Sequence, residues 1–105
     1  MKQMETATFT NTEKENSIWV FNGARSQFSA GVFDDLNKAE KWIKENKLTG
    51  MLTKYPINKG VFDWANEKGY IKSEMFTTKK NDPIFVGGFT TASMEHYHYE
   101  DGNRE

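Results

Sequence analysis

The chain has no cysteine, and only two histidines and two prolines among 105 residues. Without cysteine there are no disulfides, no cysteine-ligated zinc, no thiol redox chemistry and no thiol nucleophile. An excess of one charge is also lacking: 14 Lys and Arg stand against 15 Asp and Glu, a formal net charge of −1. That balance gives no long-range field to attract nucleic acid or an anionic membrane, so neither is expected as a partner. No apolar run approaches the ~18 residues of a membrane-spanning helix. Residues 1–16 hold no apolar segment of the kind a secretory signal carries, so the expected compartment is the cytoplasm.

The apolar content that is present is concentrated in large rings. Hydrophobic residues make up 36% of the chain and aromatic ones 14%, as eight Phe, four Tyr and three Trp. Such rings bury ~150–250 Å² each, so they must supply much of the packing. A chain of this length fits one domain with an adequate core and little to spare. The expected organisation is a flexible N-terminal arm at residues 1–16, rich in Thr, Glu, Lys and Asn, a single domain at residues 17–102, and a C-terminal tail at residues 103–105.

Ser17–Phe21 is β-branched and aromatic, and reads as a strand. Both its faces are apolar, which predicts a central place in a sheet. Asn22-Gly23 signals a turn into a returning strand at Gln27–Phe33, with Phe28, Ala30 and Val32 on one face. Arg25 lies near the tip of that hairpin. Asp34 or Asp35 is suited to cap a helix whose apolar stripe is Leu36, Ala39, Trp42 and Ile43. Glu40 and Lys44 are spaced to pair on its surface, and Asn46 is placed to end it in the left-handed conformation. Met51–Tyr55 is a short strand that Pro56 stops. Asn58 is expected to cap a second helix, Lys59–Lys68, with Val61, Trp64, Ala65 and Lys68 on one face and Phe62 beside them. Gly69 fits the position after that helix, with Tyr70 folding back. Ile71–Thr78 reads as irregular chain or an edge strand. Asp82-Pro83 reads as the start of a short helix, with an extended Ile84–Val86 as the alternative. Thr90–Tyr99 is expected to be the last strand. The fold class is therefore α+β: a small antiparallel sheet begun by an N-terminal hairpin, with two main helices on one face through Trp42 and Trp64.

Polar chemistry clusters in Glu95-His96-Tyr97-His98-Tyr99-Glu100-Asp101, which holds both histidines. Strand alternation puts His96, His98 and Glu100 on one face. Two imidazoles and a carboxylate are a donor set for Zn²⁺ or Fe²⁺, and the His-x-His pair resembles the opening of a cupin metal motif. The carboxylate is not at the cupin spacing, however, and there is no third histidine. The favoured reading is a strand with hydrogen-bonded imidazoles and packed tyrosines, with no metal and no cofactor. A small metal-dependent enzyme built on His96, His98 and Glu100 is the alternative. No nucleophile motif surrounds Ser93, and Gly87-Gly88 lacks the pattern of a phosphate loop.

Several phrases together resemble a family of small, mostly bacterial proteins of unknown function. They are Trp19-Val20-Phe21, Gly31-Val32-Phe33, Ala39-Glu40 with Trp42-Ile43, Leu48-Thr49-Gly50, Leu52-Thr53 with Tyr55-Pro56, Gly60-Val61 with Asp63-Trp64-Ala65, and Glu95 to Gly102. The resemblance spans Ser17 to Gly102, and its last motif is the most specific. It implies a soluble, stand-alone α+β domain and brings no activity with it. Bacterial proteins of this size also include immunity proteins that block a toxin. With few reactive groups assembled, the expected role is protein binding or inhibition, with a toxin-like protein as partner, the chain itself being a monomer or homodimer. Candidate binding residues are Arg25, His96, Tyr97, His98, Tyr99, Glu100 and Asp101. Trp19 is also of a type that anchors interfaces.

Overall fold

The computed structural model describes residues 17–105; the arm expected at residues 1–16 lies outside the described residues. The elements in order are strands β1 (Ser17–Gly23) and β2 (Ser29–Phe33), helix α1 (Leu36–Glu45), strand β3 (Gly50–Pro56), helices α2 (Val61–Glu67), α3 (Ser73–Lys79) and α4 (Pro83–Gly87), and strands β4 (His96–Glu100) and β5 (Asn103–Arg104). The strands form one sheet in the order β2-β1-β3-β4-β5, each pair antiparallel. The fold is α+β, begun by the N-terminal hairpin as expected.

β1 lies between β2 and β3, and its pairing with β3 runs from Ser17↔Pro56 to Gly23↔Gly50. One face of the sheet makes the core. Phe21, Leu52 and Tyr97 share a cross-strand row with Gly31. Over them α1 lays its stripe, with Ala39 and Ile43 fully buried and Leu36 and Trp42 partly so. The ring of Trp42 meets Phe21 edge-on at 5.6 Å and Phe33 at 5.3 Å. Gly31 makes room for this contact, since a Cβ there would press within 3.1 Å of Trp42. The expected stripe is thus the packing face. Trp19 belongs to the same core at 7% exposure, so it is a packing residue and not an interface anchor.

Several local expectations are corrected. The returning strand starts at Ser29, so Phe28 lies before it; Ala30 and Val32 do share a face, the outer one, because Phe33 and Gly31 take the core side, and all three are exposed. Of the two aspartates suited to cap α1, Asp35 does so, accepting from the Lys38 amide at 3.0 Å. Lys47, not Asn46, takes the left-handed conformation after α1, with φ 53°. Its amide donates to the Lys44 carbonyl and that of Leu48 to Ile43, the two bonds of a Schellman turn. α2 starts later than expected because Asn58 itself is left-handed at φ 63°, and Gly60 occupies the cap position.

At the other end of α2 the same turn forms as expected. The Gly69 amide donates to Asn66 and the Tyr70 amide to Ala65. The largest buried side chain of α2 is Phe62, 2% exposed. It collects the rings of Phe76, Phe85 and Phe89 at 5.0–5.7 Å. This small aromatic cluster is why residues 73–79 are helical and not an edge strand: helix α3 brings Phe76 onto Phe62. The Asp82-Pro83 start is confirmed for α4, with the Asp82 carboxylate accepting from the Ile84 and Phe85 amides at 3.1 Å. The last long strand is shorter than the expected Thr90–Tyr99, running only from His96 to Glu100.

Candidate functional site

The polar cluster near the C-terminus lies on β4 and its turn. Pairing with β3 sets Tyr99, His98, Tyr97 and His96 opposite Gly50, Met51, Leu52 and Thr53. Because Leu52 points into the core, so do Tyr97 and Tyr99, while His96 and His98 take the opposite face. Tyr99 is 3% exposed. Its hydroxyl donates to the Glu40 carboxylate of α1 at 2.5 Å, and Arg104 of β5 donates to the same oxygen through Nε at 2.8 Å and through Nη2. The Arg104 guanidinium lies 3.9 Å over the Tyr97 ring, which stacks on Trp19 at 5.8 Å. The Tyr97 hydroxyl donates to Glu95.

This network binds helix to strand, and it settles the protonation of its members. Burial by itself would raise the Glu40 carboxyl, but the bonds from Tyr99 and Arg104, with the charge of Arg104, hold it below the usual carboxylate range. Burial first, and then the bond to Glu40, push the Tyr99 phenol well above its ordinary value. The bond to Glu95 does the same for Tyr97. At neutral pH the phenols are therefore donors and Glu40 is an engaged anion; none is a free acid or base. The expected surface pair of Glu40 with Lys44 does not form, because Glu40 turns to Tyr99 and Arg104. The i,i+4 pairs present are Lys41–Glu45 at 2.8 Å and Lys38–Asp34 at 3.5 Å.

The chain reverses between β4 and β5 at Asp101-Gly102, with φ 52° and 88° and Glu100 paired to Asn103. Two left-handed central residues make this a tight hairpin turn. The Gly102 amide donates to the Leu48 carbonyl at 2.8 Å, and a Cβ there would meet the Lys44 and Lys47 backbone at 3.1 Å. So Asp101 and Gly102 seat the hairpin on the end of α1, and the polar run read as a tail carries the fifth strand. Arg25 lies at this same end of the sheet, since Thr49 accepts from Ala24 through its carbonyl and from Asp101 through its hydroxyl, each at 3.0 Å.

The histidines face away from the core. Their rings meet edge-on at 5.5 Å, and His96 Nδ1 bonds the Met94 carbonyl at 2.7 Å. Glu100 does not complete a donor set with them. It bonds Glu105 across the β4–β5 hairpin, and that bond, then the charges of Glu105 and Asp101, raise its carboxyl. Among the described residues no group of three or more His, Cys, Asp or Glu is arranged to hold a metal ion.

Beside the histidines this outer face carries apolar side chains. Val32, Val20, Thr53 and His96 make one cross-strand row, and Asn22, Met51 and His98 the next. Val32 is 59% and Met51 38% exposed, and His98 is exposed beside Met51. Sequence reasoning named the histidines but missed Glu40, Arg104, Val32 and Met51. The alternation of β3 held a signal for Met51, whereas Glu40 had none within its own helix.

Among the described residues no helix is long and apolar enough to cross a membrane. No curated protein and no solved structure matches the chain. A family described as a domain of unknown function, DUF7710, matches residues 18–105, from Ile18 of β1 through β5, and the chain belongs to that family.

Proposed function

We propose that the domain is a protein-binding module, and that it binds through the outer face of its sheet around Val20, Val32, Met51, His96 and His98. The observation that carries this reading is the exposure of Val32 and Met51, which flank β1 on the outer face, with His98 next to Met51 on a regular sheet. Large apolar side chains grouped on a surface lose water favourably when a partner covers them. Met is enriched in interface cores, and Arg25 at the end of the sheet is of a type that anchors them. The working picture is a soluble cytoplasmic protein that acts by covering part of another protein, in the manner of an immunity protein on a toxin. In support, Tyr99 and Glu40 are committed to holding α1 on the sheet.

The test is a pair of surface charges, Val32→Glu with Met51→Lys. Both sites are exposed, so the melting temperature should stay within a few degrees of wild type. Tagged wild-type protein, recovered from the cells that make it, should bring down a partner in near-equal amount, and the double variant should lose it by about a hundredfold or more. Equal recovery by the two proteins would refute the outer face as the contact.

A further inference from the structure

A cleft of about 690 Å³ opens between the Pro56 end of β3 and helix α2, a size within the ~300–1,000 Å³ usual for small-ligand sites. Trp64 and Tyr70 form an aromatic corner in its wall, with centroids 5.4 Å apart and planes at 56°. The turn at Gly69 creates that corner by folding Tyr70 back over α2. Tyr70 stays 52% exposed, so its ring is presented and not packed away. Tyr55 contributes a third ring from the strand side.

The charged groups of the cleft are three ammonium groups, Lys54, Lys59 and Lys68, against two carboxylates, Glu67 and Glu95. Lys59 donates to Glu67 at 2.6 Å, and Lys54 lies 3.8 Å from Glu95. Lys68 joins no ion pair among the described residues. The cleft is thus locally positive on a chain of net charge −1. Rings offer stacking to a flat ligand, and lysine is a point charge for a phosphate or carboxylate.

We propose that this cleft binds a small planar aromatic anion of nucleoside monophosphate size, its ring against Trp64 and Tyr70 and its anionic group at Lys68 and Lys59. The site is separate from the outer-face patch, and the two proposals stand or fall independently. The same chemistry could come from a nucleotide or from an aromatic residue bearing a carboxylate.

The test is calorimetric titration of the full chain with adenosine monophosphate, N-acetyltryptophan, adenosine and inorganic phosphate. Saturable binding is expected for adenosine monophosphate or N-acetyltryptophan, the tighter of the two identifying the source. Adenosine and phosphate alone should each bind about tenfold more weakly, since each has half of the contacts. Lys68→Ala and Tyr70→Ala, both at exposed positions, should each weaken the favoured ligand by about fivefold or more. Lys41→Ala, on the outer side of α1, should leave it unchanged. Absence of saturation by both ring-bearing anions, or equal binding by wild type, Lys68→Ala and Tyr70→Ala, would overturn the proposal.

Discussion

Glu40 accepts from Tyr99 and Arg104, which lie 59 and 64 residues further along the chain. A half-buried carboxylate is held charged because two donors and a guanidinium face it. Tyr99→Phe removes one donor and keeps the ring, and should cost about 1.5–3 kcal/mol at neutral pH, as for a bond to a charged group. The pH dependence has a fixed sign. The Glu40 carboxyl is lowered in the folded state, so its contribution is present above the ordinary carboxylate range and is lost as pH falls through the folded value. The Tyr99 phenol is raised, so its contribution is present below the ordinary value of about 10 and is lost as pH rises beyond it. Thermal melts of wild type and Tyr99→Phe should therefore differ most near neutral pH and converge as the pH falls below the ordinary carboxylate range. A constant difference across that range would remove Glu40 from the account. Glu40 was illegible in the sequence for a plain reason: its local spacing to Lys44 offers a pair, and only the sheet order reveals the better one.

At the scale of the element, the two long turns after α1 and α2 use the same hydrogen bonds with different residues. α2 has Gly69 in the left-handed position, where it costs no Cβ clash; α1 has Lys47 there. Left-handed backbone costs a side-chain-bearing residue roughly 1–2 kcal/mol, offset in part by the greater unfolded-state freedom of glycine. Lys47→Gly should therefore stabilise the domain by about 0.5–1 kcal/mol. Denaturant unfolding reads this directly, and a variant less stable than wild type would show that the Lys47 side chain has a contact worth more than the strain. Elements whose signal is local were legible: the Ser17 hairpin, the α1 stripe, the Gly69 turn and the Asp82-Pro83 start. α3 was not, because its helix depends on Phe76 finding Phe62 across the aromatic cluster. The start of α2 was misplaced because Asn58 is at home both as a helix cap and in a left-handed turn. The Asp101-Gly102 hairpin turn was visible in principle, since Asp-Gly is a strong turn pair; the polar residues around it disguised it as a tail.

For the whole molecule, helix α1 covers one face of the sheet, and the other face shows apolar side chains to water at Val32 and Met51. The candidate motif of β4 is divided by this arrangement. Its tyrosines join the core and the Glu40 network, and its histidines join the outer patch. Alternation along the strand predicted that division; which face would be buried depended on α1 and could not be read from β4 alone. A photo-crosslinking amino acid placed at Val32, with one at Lys41 on the outer side of α1 as the control, tests the outer face most directly in the cells that make the protein. Binding through the outer face predicts a discrete covalent adduct from position 32 and none from position 41. No adduct from position 32, or the same adducts from both positions, would contradict it.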